Sequence, residues 1–226
     1  GRMGEYFDWV NVDKKEYIDP CDFDCGNKFH ETMHRDSAPL LALHTLLSDR
    51  WTGDHILFLG DECIVPDNSC NYVYQLLTEQ HKRIPEGYFT WNMIYVAYRN
   101  VSAFFKEAEK EVRQEIEYYL EDLRNGIKDF PNIYGVDINE PYKGLFVMSG
   151  KRKQYVLNET KRVCYTLQKT KILNPDNTTA VDLDPLPFLL GYGRSCNPGL
   201  WIGDEIGVSD EIPKGYTILQ QIYMDT

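Results

Sequence analysis

The spacing of apolar positions changes several times along the chain, and each change marks an element. Residues 6–12 and 16–18 are short aromatic and β-branched stretches on either side of Asp13-Lys14-Lys15, which predicts a β-hairpin with a basic tip. From Cys21 to Ser48 the period becomes helical, with a short helix expected over 27–35. Ser37 then supplies an N-cap with Pro39 in the first turn, and Leu40, Leu43 and Leu47 fall on one face of a helix that stops before Trp51. The continuous apolar run 56–59, closed by Gly-Asp pairs, reads as a central strand covered on both faces.

Beyond a loop at 65–69, Tyr72, Val73, Leu76 and Leu77 predict a buried helical stripe, and 91–98 is read as helix because a long helix follows. Phe104, Ala108, Val112, Ile116, Leu120 and Leu123 recur at steps of three and four from a Ser102 cap to a Gly126 stop, which predicts the longest helix of the chain. Residues 127–144 carry Pro131, Gly135, Pro141 and Gly144 and read as a linker, with a strand at 145–148 after it. A second hairpin is expected through 155–157 and 163–165, a polar loop over 171–184, a further Pro-marked helix start at Asp184-Pro185-Leu186-Pro187, and a last strand over 216–223.

Two of these stretches recur. Trp51-Thr52-Gly53-Asp54-His55-Ile56 returns as Trp201-Ile202-Gly203-Asp204-Glu205-Ile206, and Asn11-Val12-Asp13-Lys14-Lys15 returns as Asn158-Glu159-Thr160-Lys161-Arg162. In each copy the tryptophan would anchor a strand in the core, the glycine would allow a tight turn, and the aspartate would bond backbone amides there. The expected fold is therefore α+β: two related β-hairpin, helix and strand modules, residues 3–66 and 145–226, sharing a mostly antiparallel sheet. A helical insertion and linker, 67–144, lies between them, the whole forming one compact unit.

Composition narrows the function. With 226 residues, 42% of them hydrophobic and 13% aromatic, the chain can bury a large core. Its formal net charge of −11 argues against a nucleic-acid or anionic membrane surface and is suited to a basic protein partner. Glu107, Glu109, Glu111, Glu115, Glu117, Glu121 and Asp122 line the outer face of the long helix. No apolar run approaches the ~20 residues of a membrane helix, so a cytoplasmic protein with reduced thiols is expected.

The chemically charged segment is His30-Glu31-Thr32-Met33-His34, which matches H-E-x-x-H. On a helix that spacing puts two imidazoles on one face as zinc ligands, with the glutamate as general base of a metallohydrolase. Arg35 and Asp36 follow directly, the third ligand is open between Asp61 and Glu62, and the second module has no counterpart. Cys21, Cys25, His30 and His34 also fall within fourteen residues, a compactness near that of a zinc knuckle. Zinc and a Glu31-based hydrolase are thus the alternative, and no catalytic or metal residue is favoured.

Asp54, Asp61, Glu62, Asp204, Asp210 and Glu211 stand at equivalent strand ends, as an acidic pair of clusters or as turn chemistry. Together with Trp51, Trp201, Glu111 and Glu115 they are the candidate binding residues. A cleft between the modules near the two tryptophans would suit a small-ligand sensor. The glycine-rich loop 191–199 can cradle an anion through backbone amides but matches neither the P-loop nor the dinucleotide fingerprint.

The pattern N-x-[DT]-K-[KR], then W-x-G-D-x-I about forty residues on, then Gly-Asp or Ser-Asp, resembles a signature of uncharacterised bacterial proteins. The resemblance covers residues 10–62 and more faintly 156–211. It implies a bacterial source and carries no catalytic residue. Small acidic bacterial proteins of this kind include immunity proteins that cap a toxin, so the favoured function is a non-enzymatic acidic interaction protein, immunity-like by analogy.

Overall fold

The computed structural model describes residues 4–62, 75–76, 98–127 and 152–224. The first hairpin forms as expected from β1 (Phe7–Asn11) and β2 (Glu16–Ile18), and the second from β5 (Tyr155–Asn158) and β6 (Val163–Tyr165). The tryptophan-led strands are β3 (Asp54–Gly60) and β9 (Glu205–Ser209). Shorter strands are β4 (Arg99–Asn100), β7 (Lys171–Leu173), β8 (Gly191–Tyr192), β10 (Thr217–Ile218) and β11 (Gln221–Tyr223).

Among the described residues the main sheet has nine strands in the order β10-β6-β5-β9-β3-β1-β2-β4, with β8 beside β3. Its continuous path is antiparallel through the centre, β4 and β10 add parallel pairs at the two ends, and β8 adds a third parallel pair against β3. The order reads alike from either edge. On one side β4 joins the hairpin through Arg99 N donating to Lys15 O at 2.9 Å; on the other, β10 joins through Thr217 N donating to Arg162 O at 3.1 Å. Lys15 and Arg162 share a left-handed φ, 54° and 53°, which a polar hairpin tip tolerates. The protein is α+β.

Helix α1 (Ala38–Leu47) packs Leu40, Leu43 and Leu47 inward, α2 spans Glu109–Arg124, and α3 is the short Leu186–Leu190. The stripe Ala108, Val112, Ile116 and Leu120 is buried as the periodicity predicts, and Gly126 ends the region at φ +78°. The helix begins later than expected, because 3-10 turns at Val101–Phe104 and Lys106–Ala108 precede it. One core joins the halves: Phe7, Trp9, Trp51, Ile56 and Phe58 belong to the same cluster as Val156, Tyr165, Leu186, Trp201 and Ile206. Trp9 lies 4.2 Å from Phe58 between ring centroids, across their β1–β3 register.

Several expectations change. Residues 27–35 form turns and a single bridge, His34 to Leu183, in place of a helix. The polar stretch 171–184 contains β7, whose parallel partner is β11, and the tail divides into β10 and β11. Tyr72, Val73 and Leu77, most of 91–98, the linker 128–144 and the strand at 145–148 lie outside the described residues.

Candidate functional site

The paired sequence motifs fold alike. Asn11 Nδ2 donates to Asp54 Oδ2 at 2.8 Å, Lys14 N donates to Asn11 Oδ1 at 2.9 Å, and Lys14 Nζ pairs with Asp54. In the other half Asn158 Nδ2 donates to Asp204 Oδ2 at 2.8 Å, Lys161 N donates to Asn158 Oδ1 at 2.9 Å, and Lys161 Nζ pairs with Asp204. Gly53 and Gly203 sit at φ +74° and +69°, and each bonds across to the other strand: Gly53 N to Ile206 O at 2.9 Å, Gly203 N to Ile56 O at 3.1 Å. Both aspartates therefore tie a hairpin to a strand through Asn and Lys side chains, where the sequence suggested bonds to turn amides.

The remaining acids do not converge. Because β3 and β9 run antiparallel and pair only at Asp54–His55 against Glu205–Ile206, Asp61 and Glu62 leave one end of the sheet while Asp210 and Glu211 leave the other. Asp61 Oδ1 accepts from Tyr6 N at 2.9 Å, and burial raises its carboxyl. Asp210 accepts from Gln154 N at 3.1 Å, and Glu211 N donates to Ser209 Oγ at 3.0 Å. Trp51 is wholly buried with Nε1 donating to Glu16 Oε1 at 2.9 Å, and Trp201 is buried against Tyr165, 5.8 Å between centroids. Glu111 and Glu115 are exposed on α2.

The His-Glu-x-x-His segment lacks the helix that would set its imidazoles side by side. His30 turns an edge to Phe29 at 5.2 Å between centroids, while Met33 and Thr32 point into the protein. Burial and the carboxylates of Asp19 and Asp22 push the Cys21 thiol up to about 12, and burial with Glu31 raises Cys25. Among the described residues, no group of three or more His, Cys, Asp or Glu side chains is placed to hold a metal ion.

The glycine-rich loop does cradle an anion, and the anion is the protein's own Glu5. Its carboxylate accepts from Arg194 N at 3.0 Å, Ser195 N at 2.7 Å, Ser195 Oγ at 2.8 Å and Glu62 N at 3.2 Å. Gly193 leaves the room for it, since a Cβ there would stand 2.8 Å from Glu5 Oε2.

Two further clusters escaped the sequence. Asp8, Asp19 and Asp22 gather under α2: Asp8 is buried with Oδ2 lacking a hydrogen bond, and Asp22 accepts from Asn100 Nδ2 at 2.9 Å. Burial raises all three; the Asp19 charge adds to it at Asp8 and at Asp22, which reaches about 7, and the Glu115 charge adds to it at Asp19. The second cluster lies where α1 meets the other half. Asp184, fully buried, accepts from Arg152 Nη1 at 2.8 Å, Tyr165 Oη at 2.5 Å and Leu186 N at 3.0 Å.

Burial alone would raise the Asp184 carboxyl, yet it is held far below the ordinary carboxylate range. His44 Nε2 stands 3.8 Å off, beyond hydrogen-bond reach, so the Arg152 charge and the Tyr165 hydroxyl carry that effect. Burial keeps His44 neutral by lowering its pKa. A cavity of about 130 Å³ opens beside His44, Arg152 and Tyr165. The one sequence signal for this place was a histidine inside the apolar stripe of α1.

No protein-family model, curated protein or solved structure matches the chain.

Proposed function

We propose that this is a non-enzymatic acidic interaction protein, cytoplasmic and of bacterial origin, that docks a basic protein through the outer face of α2 in the manner of an immunity protein capping a toxin. One observation carries the reading: α2 buries a single stripe and turns Glu111, Glu115, Glu117 and Glu121 to solvent, with Glu107 exposed in the 3-10 turn before it. The helix holds six acidic side chains against three basic ones, in a chain of net charge −11. Tyr118, 59% exposed among these acids, is the kind of aromatic that anchors an interface when a partner covers it. Charge of one sign on one face steers a basic partner and raises its association rate, most strongly at low salt. The helix is held by the 3-10 segments Pro20–Phe23, Val101–Phe104 and Lys106–Ala108.

The test is capture from the source cell with the wild-type chain and with E111K combined with E115K, both at exposed positions. A basic protein retained at low salt, released at high salt and not retained by the variant supports the reading. Retention that ignores both salt and the substitutions removes it. Suppression of the captured protein's own activity separates an inhibitor from a passive binder.

A further inference from the structure

Residues 216–224 leave one side of their backbone unused. They run beside the second half of the sheet, pairing first with β6 through β10 and then with β7 through β11, both in parallel. Thr217 N donates to Arg162 O at 3.1 Å and Leu219 N to Cys164 O at 2.8 Å, so these two residues face β6. Gln220 O accepts from Lys171 N at 3.0 Å and Met224 N donates to Leu173 O at 2.8 Å, which turns Gln220, Ile222 and Met224 toward β7. Successive residues of an extended strand face opposite sides, so the N–H and C=O groups of Ile218, Gln221 and Tyr223 point away from the pairing. Among the described residues no strand lies against that side. Thr217, Gln220, Gln221 and Tyr223 are exposed, Tyr223 by 48%. Sheet edges are ordinarily guarded by charge, proline or a covering element, yet residues 215–224 include no charged residue and no proline, in a chain of net charge −11.

We propose that residues 216–224 form a homodimer interface, in which the same edge of a second copy pairs antiparallel across a two-fold axis. The placement of the outward groups decides the occupant. Leu219 and Gln220 both turn inward, so the outward residues fall evenly on either side of the peptide bond between them. An axis through that bond sets Ile218 of each copy opposite Gln221 of the other, matching outward donors to outward acceptors. The same register brings Tyr223 N–H to the C=O of Tyr216, whose own N–H is already given to Pro213 O at 3.2 Å. A strand from another protein would need no such symmetry. The contact uses one patch on both chains and closes at two copies. Charge agrees: acidic copies repel one another, and an uncharged stretch lets them meet without setting like charges side by side. The pairing is short, so the dimer is a weak one, smaller than a standard stable interface.

The experiment combines sedimentation equilibrium of the full chain from about 10 μM to about 1 mM with amide hydrogen exchange at both ends of that range. The mass should rise toward that of a dimer, and the amides of Ile218, Gln221 and Tyr223 should gain protection only at the high concentration. Gln221→Pro removes an outward N–H and no existing ladder bond, a change that an edge strand tolerates, and should weaken dimerisation at least tenfold. Gln221→Ala keeps that N–H and should dimerise like the wild type, with folding of both variants checked by circular dichroism. Should Gln221→Pro fail to fold, the exchange result decides alone. The proposal is overturned by a monomer mass throughout the range, which would leave the edge to a strand from another protein. Equal protection of these amides at both concentrations, a dimer in which they stay unprotected, or a folded Gln221→Pro protein that dimerises undiminished would overturn it as well.

Discussion

Asp22 shows at the scale of one residue how the fold sets a charge. Burial and the neighbouring Asp19 raise it from 3.8 to about 7, and Asp8 and Asp19 are raised as well. A raised folded pKa gives stability that is complete below the unfolded value and is lost as pH climbs through the folded one. Between about pH 4 and pH 7 these acids therefore make the protein less stable as pH rises. His44 opposes them, because its lowered pKa removes stability as pH falls below its ordinary 6.5. Asp22→Asn, which still accepts from Asn100, should stabilise by on the order of 1–2 kcal/mol at pH 8 and by nearly nothing at pH 4. Urea melts at the two pH values check the sign.

Glu5 is the other informative residue. Substituting Gln keeps the size but offers an amide where Ser195 and Arg194 donate, and should cost about 1–3 kcal/mol by the same melts. Nothing local in the sequence announces this contact, since Glu5 and Ser195 are 190 positions apart. The same separation hid the buried cluster around Asp184, whose groups come from positions 44, 152, 165 and 184.

At the scale of elements, what was legible was periodic. The hairpins and the stripe of α2 were read from spacing alone, because alternation and the 3.6-residue repeat follow from burying one face. Elements set by distant partners were not: β7 is three residues at the start of a polar stretch, and only pairing with β11 makes it a strand. The His30 to His34 turns answer to Phe29 and Met33 in the core and to the His34–Leu183 bridge, which outweigh local helical spacing. Ile116→Ala in α2 should cost about 3 kcal/mol, whereas Glu115→Ala should stay within about 0.5 kcal/mol, as one face is core and the other solvent. Thermal melts of the pair verify that division. In the hairpins, Asn11→Ala and Asn158→Ala remove corresponding bonds and should destabilise alike, by about 1–2 kcal/mol each. A large inequality between them would show that the matched geometry does not carry matched energy.

The whole molecule joins a sheet that reads alike from both edges to a surface of strong negative charge. The α+β class and the matched stretches were visible in the chain, and the sheet order was not, because β4 and β10 are two-residue pairings made only in the folded state. No helix among the described residues is long and apolar enough to cross a membrane. Charge supplies the functional claim, and salt tests it. The most direct measurement is the dissociation constant of the captured basic partner across a salt series, for the wild-type chain and for E111K combined with E115K. The account predicts an affinity that falls steadily with salt in the wild type and is at least tenfold weaker, with a shallower salt dependence, in the variant. Equal affinities for the two proteins at low salt would contradict it.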